Sequence, residues 1–384
     1  MKPTIVKLIT ASLGLAFAIA PLAAEPIKLS PVSPVSPRLA AMGGPHAAQA
    51  SGIDALFENP AGFASEDTVL SAAALALNFS GPVFDIANLV LSGGDPIAAI
   101  PSILDPAGRL YVGLELAGPI SFGFVGKGLG FGVFNSTALR IDAISLLSAS
   151  LAAGEDILIA GGYAHRLRLD GGHIIDLGIM PKAFIRAQFI KSGTIEDLMN
   201  TVLSPADLFG ATPFRIVSGI GVDAGARWMS PFGLALGIVA RDAYSPAMVS
   251  QYASFSDYQS SPAASPVMGI VPADLSVGLL YALPFRFLSD VGLAVNVMLD
   301  YRDLLNLFEP LPRNAILNLS AGLELALLDI LFVRGGIREA LPSAGLGLDL
   351  SWFTVNLAMY GRELGMEPGT RPVFNLALSF DFRY

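Results

Sequence analysis

The stretch VFNLALSFDFRY, residues 373–384, alternates strictly. Phe374, Leu376, Leu378, Phe380, Phe382 and Tyr384 share one parity, while Val373, Asn375, Ala377, Ser379, Asp381 and Arg383 share the other. Successive side chains on a strand point to opposite faces, so this segment predicts a strand with one oily and one mostly polar face. DVGLAVNVMLDYR repeats the pattern: Val291, Leu293, Val295, Val297, Leu299 and Tyr301 oppose Asn296, Asp300 and Arg302. So do residues 315–327, where Asn318, Ser320, Gly322 and Glu324 alternate with leucines, and AGLGLDLSW, where Leu346, Leu348, Leu350 and Trp352 face away from Asp349 and Ser351.

Such strands sit in an unusually apolar chain, with 53% hydrophobic and 14% charged residues and a mean hydropathy of +0.60. That would suit a helical membrane protein. Yet beyond residue 24 there is no uninterrupted apolar run of the ~18–20 residues that a spanning helix needs. A closed barrel is the other structure that satisfies every backbone group in lipid, and alternating segments of about 10 residues are its signature. The fold class predicted is therefore all-β, a transmembrane antiparallel barrel occupying residues 68–384.

Strands are expected near 68–79, 109–117, 119–138, 156–168, 173–190, 214–229 and 231–242, then near 273–284, 290–302, 315–327, 330–338, 343–352, 353–362 and 372–384. That makes fourteen, an even number as in single-chain bacterial barrels. Short turns fall at Gly118-Pro119, Asp170-Gly171-Gly172, Ser230-Pro231 and Trp352-Phe353, among others, and long connections at 80–108, 139–155, 191–213 and 243–272. Helical spacing marks 85–91 and 194–209 inside these loops, and the Ser- and Pro-rich 252–266 reads as a surface loop. The parity requires 119–138 to be one strand. Its outward residues switch from even (Ile120, Phe122, Phe124) to odd (Leu129, Phe131, Val133), which places a bulge at Gly126-Lys127-Gly128. The alternative is a tight outer turn there and a different count, up to sixteen.

Residues 1–24 have the layout of an export signal: Lys2 and Lys7, an apolar run from Leu8 to Ala20, then PLAA. Without those two lysines the chain carries 21 basic against 32 acidic residues, a formal charge of −11. Such a balance argues against nucleic acid as a partner. Cysteine is absent, which removes disulfides and thiolate metal sites and suits passage through an oxidising periplasm.

Residues 25–67 do not alternate. A leader, KLSPVSPVSP, runs into RLAAMGGPHAAQASGIDALFENPAGFASED. Gly43-Gly44 and the surrounding alanines allow close backbone contact, and Ile53, Leu56 and Phe57 suggest a helical turn stopped by Asn59-Pro60. The stretch is too apolar for a solvated linker.

Arg38, Met42-Gly43-Gly44, Asp54-Ala55-Leu56-Phe57 and Asn59-Pro60-Ala61-Gly62 together resemble the N-terminal signature of the FadL family, outer-membrane transporters of long-chain fatty acids and other hydrophobic compounds. The resemblance is specific over about 30 residues. It implies that residues 25–67 form a hatch inside the lumen, that Phe57 and Phe63 pack with it, and that a kinked third strand opens a lateral gap, here at Gly126, Lys127 and Gly128. The last strand likewise resembles the C-terminal signal read by barrel-insertion machinery. The implied setting is the outer membrane, with the lipid bilayer and a hydrophobic ligand such as a fatty acid as partners and a monomeric state.

A carboxylate head group would seek cations, and strand parity turns Lys182, Arg186, Arg334 and Arg338 inward. The same charges have candidate partners in Asp176, Asp223, Glu324 and Asp349. No catalytic residues are assigned: His46, His165 and His173 lack a Ser or acidic partner pattern, no metal-ligand spacing is found and no cofactor is implied. Rival readings are a secretion or assembly partner, a surface antigen and a simple diffusion pore.

Overall fold

The computed structural model describes residues 26–92, 100–260 and 266–383, so the expected export signal at 1–24 lies outside the described residues. Fourteen antiparallel strands close into a barrel. On the first half of the wall they are β1 (Val69–Ser80), β2 (Leu110–Gly126), β3 (Leu129–Ser145), β4 (Ser148–Arg168), β5 (Ile174–Gly193), β6 (Phe214–Met229) and β7 (Leu234–Tyr244). On the second half they are β8 (Asp274–Ala282), β9 (Leu293–Tyr301), β10 (Leu319–Leu327), β11 (Leu331–Arg338), β12 (Leu341–Asp349), β13 (Phe353–Glu363) and β14 (Pro372–Arg383). The first strand pairs with the last, Leu376 opposite Phe79, which shuts the sheet.

Alternation decides which face is which. On β14, Asn375, Ala377, Ser379 and Asp381 are buried in the lumen while Phe374 and Phe382 are exposed outward. The exposed band continues around the wall through Phe122, Phe131, Ile159, Ile179, Ile238, Val297, Leu346 and Met359. Among the described residues no helix is long and apolar enough to cross a membrane; the strands cross it. The wall is uneven in height. Strands β2 to β6 run 16–21 residues, whereas β8 to β12 run 8–9.

The end where β1 begins and β14 finishes, here the near end, has short turns. The far end carries most of the long connections, including the expected helices at Val83–Leu91 and Ile195–Leu203. Two short strands, Pro246–Tyr252 and Val267–Ile270, lie within the connection expected at 243–272 and continue β7 and β8 past a break. A two-residue strand, Ile27–Lys28, adds parallel to Val267–Ile270.

Three expectations about the wall are corrected. Gly126-Lys127-Gly128 is not a kink within a strand: Gly126 pairs with Leu129, and Lys127 and Gly128 take positive φ of 54° and 88°. Two consecutive left-handed residues between paired strands form the tight hairpin whose twist matches the sheet. The turn sits at the near end, because Val125 pairs with Val69 at the start of β1. Second, Gly118-Pro119 is no turn but lies within β2. Third, the long loop expected at 139–155 is wall: β3 runs to Ser145 and β4 starts at Ser148.

The wall pairing does lapse, but elsewhere. Ser71 pairs with Gly123 and Ala76 with Ala117, leaving residues 72–75 of β1 and 118–122 of β2 unpaired with one another, although Ala73 to Leu75 stay paired with β14 and Ser121 and Phe122 with β3. Pairing of β2 with β3 also skips, between Ala117 and Ser121. In that gap the Asn135 side chain accepts from the Ile120 amide at 3.0 Å.

Candidate functional site

The lumen is filled by the segment from Leu29 to Ala64. It enters near the far end, where Arg186 donates to Ser30, and leaves at the near end. Ser36 caps a short helix, Pro37–Ala41, and the chain then turns through Met42-Gly43-Gly44. A 3-10 turn follows at Gly52–Leu56, close to the helical turn expected there. Asn59-Pro60 does more than stop it. Asn59 Oδ1 accepts from the Ala61 amide at 3.0 Å and caps a second 3-10 turn, Pro60–Ala64. The exit is pinned to the β2–β3 hairpin: the Lys127 and Gly128 amides donate to the carbonyls of Ser65 and Phe63.

Glycines on the inner wall let the segment's backbone approach. An added Cβ at Gly178 would lie 2.4 Å from the Pro60 carbonyl carbon, at Gly225 1.9 Å from Asn59 Oδ1, and at Gly237 2.2 Å from the Ala47 carbonyl oxygen. At Gly322 and Gly336 it would meet Met42, and at Gly345 Ala41. Six strands thus give up side chains where the segment lies. Apolar contact adds to the fit: Phe63 is fully buried against Gly130, and Phe57 meets Phe134 edge-on with ring centroids 4.9 Å apart. Burying one phenylalanine is worth about 1.5–3 kcal/mol.

Polar contacts fix the position. Asp300 on β9 takes His46 Nδ1 at 2.5 Å and the Ala47 amide at 2.8 Å. Asn59 Nδ2 donates to the Ala47 carbonyl at 2.7 Å. Arg227 donates to the Ala50 carbonyl, Arg241 to that of Glu58, and Ser343 to that of Ala41. Arg38 reaches Asp54 at 2.8 Å within the segment and Glu324 on the wall at 3.5 Å. Glu58 is buried and accepts from the His46 amide at 3.2 Å; burial, then the neighbouring Asp54 carboxylate, pushes its carboxyl up to about 7.

The four inward cations expected as anchors divide. Lys182 lies 2.8 Å from Asp223, Arg186 2.7 Å from Asp156 and Arg334 2.7 Å from Glu324, so each is committed to a carboxylate. Of the expected partners, Asp223 and Glu324 are used here and Asp176 binds Arg166 and Arg227 instead. Arg338 has, among the described residues, one ion pair, the longer one to Glu339 at 3.7 Å. It is joined at the far end by Arg302 and Arg362, which parity alone had not singled out.

An internal cavity of about 90 Å³ lies between the segment and the lapse in the wall, lined by Arg38, Asp54 and Phe57 on one side and Ala74, Gly118 and Ser121 on the other. That is room for roughly three waters. At the far end Phe189, Phe209, Phe214, Tyr252, Phe255 and Tyr258 form one aromatic cluster, with Phe209 and Tyr258 exposed.

No family model and no curated protein matches the sequence. Among solved structures the chain is similar to CymD, a monoaromatic hydrocarbon channel, at 14% identity and a TM-score of 0.48 over 92% of this chain and 98% of that one. It is also similar to the toluene transporters TodX of Pseudomonas putida (13%, 0.45, 94% and 100%) and TbuX of Ralstonia pickettii (14%, 0.48, 91% and 98%). These three are hydrocarbon channels or transporters. They are channels and transporters rather than enzymes. At such low identity the likeness concerns the barrel, and the lumen has to be read from its own residues.

Proposed function

We propose that this chain is an outer-membrane transporter that passes hydrophobic small molecules, long-chain fatty acids included, through a barrel gated by its N-terminal segment. The observation that carries the reading is the internal cavity beside the segment at the point where β1 and β2 lose their pairing. A wall whose pairing is irregular beside a cavity, with the segment packed against its inner face, favours sideways exit into the bilayer. An oily ligand would collect at the far-end aromatic cluster, move past Phe57 and leave near Ala74 and Ser121. Apolar burial, about 25 cal/mol per Å², would supply most of the affinity, and the segment, residues 25–67, would act as the hatch.

The test uses the purified full chain in liposomes, with uptake of a radiolabelled long-chain fatty acid and of toluene measured beside ion conductance. Uptake with low conductance supports the proposal; no uptake or binding together with free conduction makes the barrel a diffusion pore. A stable copurifying protein partner, with no uptake, would point to an assembly role. Because the native chain has no cysteine, Ala74→Cys with Ser121→Cys bridged by a short bifunctional reagent isolates the exit. Bridging should abolish uptake, and undiminished uptake would remove the lateral route.

A further inference from the structure

We propose that the far mouth of the lumen holds a binding site for a doubly charged tetrahedral oxyanion of the phosphate or sulfate class, gripped by Arg302, Arg338 and Arg362 above Gly44. This site does not depend on which hydrophobic compound crosses the barrel.

Elsewhere in the lumen most cations are matched, Arg215 beside Gln188 being an exception. Lys182, Arg166, Arg186, Arg227, Arg241 and Arg334 each lie 2.7–2.9 Å from a carboxylate oxygen. Arg302, Arg338 and Arg362 break this rule. Among the described residues the buried Nε of each has no hydrogen-bond partner, and the only carboxylate within ion-pair distance of any of them is Glu339, 3.7 Å from Arg338 Nε. Glu339 is itself divided. It accepts from Arg313 at 3.2 Å and from the Glu363 amide at 2.9 Å. The Glu363 carboxylate is turned to the backbone amides of Gly365, Gly369 and Arg371. With Glu339 shared between Arg313 and Arg338, and no carboxylate within 4 Å of Arg302 or Arg362 among the described residues, the cluster keeps a positive surplus that a dianion offsets better than a single carboxylate.

The geometry also brings two of the tips together. Gly44 lies where an added Cβ would be 3.0 Å from Arg302 Nη1 and 3.3 Å from Arg338 Nη1. The missing side chain lets both guanidinium tips close on the backbone of the turn. Arg338 keeps 23% of its side chain exposed, so the tips can be reached although the Nε atoms are buried. Guanidinium forks match tetrahedral oxyanions bidentately, and charge-assisted hydrogen bonds to them are short and strong. An anion seated there would touch both the wall and the turn at Gly44, and so tie the segment to β9 and β11.

The chemistry has two sources, a free phosphate ion or the phosphate head of an amphiphile, and the experiment separates them. Calorimetry on the full chain in a neutral detergent and phosphate-free buffer would titrate inorganic phosphate, hexyl phosphate and hexanoate. Saturable binding of either phosphate at least tenfold tighter than hexanoate is expected. A further tenfold gain for hexyl over inorganic phosphate identifies the amphiphile, and equal affinities identify the free ion. Arg338→Gln with Arg362→Gln should weaken binding more than tenfold in protein whose heat-modifiable migration shows a folded barrel. As a measurement needing no variant, phosphate should protect Arg302, Arg338 and Arg362 of the native chain from phenylglyoxal, read by mass spectrometry. Absence of saturable binding, binding unaltered in the double variant, or modification unaffected by phosphate would overturn the site.

Discussion

Asn59→Ala tests how the segment is held. The side chain is fully buried: Oδ1 caps the Pro60–Ala64 turn, and Nδ2 donates to the Ala47 carbonyl at 2.7 Å and, at 3.3 and 3.4 Å, to the wall carbonyls of Ile238 and Ala226. Losing a cap costs about 1 kcal/mol, and leaving the buried carbonyl unpaired costs about 1–3 kcal/mol. The seated state should therefore lose about 2–4 kcal/mol, raising the unseated population roughly 30- to 700-fold at about 1.4 kcal/mol per decade. Hydrogen exchange of the amides between 46 and 62 should accelerate accordingly, and single-channel openings should become more frequent while the barrel stays folded. Gly225→Ala attacks the same contact from the wall, because its Cβ would fall 1.9 Å from Asn59 Oδ1. In an Asn59→Ala background that clash is gone, so the second change should cost much less than it does alone. Native exchange in Asn59→Ala, or a Gly225→Ala penalty equal in both backgrounds, would refute the reasoning.

Two further outcomes follow from the same seat. Glu58 has a pKa raised from 4.5 to about 7 by burial and then by Asp54, with Arg38 and His46 facing it as opposing influences. The seat should be firmest below pH 4.5, weaken as pH rises towards about 7 by an amount on the order of a few kcal/mol, and change little above that. Conductance compared at pH 5 and 8 should show more opening at pH 8 in the native chain and no such difference in Glu58→Gln; the reverse trend would sink the assignment. Phe63→Ala should loosen the segment's exit by about 3–5 kcal/mol, since the ring is fully buried against Gly130. Protease cleavage between 60 and 68 reads this directly, and resistance equal to that of the native chain would show that the ring carries no such weight.

The strand count was legible while its derivation was not, and the reason is physical. A switch of outward parity from Phe124 to Leu129 is produced equally by a one-residue bulge and by a two-residue hairpin. In the hairpin, Gly126 opposes Leu129, so residues of opposite parity share a face. Reading one hairpin as one strand and splitting β2 at Gly118-Pro119 were compensating errors that kept the total at fourteen. Parity also turned Arg334 and Arg338 inward correctly. It could not say which of them owns a carboxylate, because the partners come from the N-terminal segment and from other strands, as with Arg38 and Arg334 sharing Glu324.

One signal in the sequence was underused. Gly178, Gly225, Gly237, Gly322, Gly336 and Gly345 occupy the inward parity of six strands, where a water-filled lumen would tolerate any polar side chain. Glycine weakens a strand unless another backbone comes close. Its recurrence on the inner face therefore indicates that something lies against the wall, and here the segment from Ala41 to Pro60 does so at all six positions. The same logic reaches Gly44, whose neighbours are two arginine tips rather than backbone. The inward glycines mark where the segment lies, and the glycine on the segment itself lets two arginine tips close on its backbone.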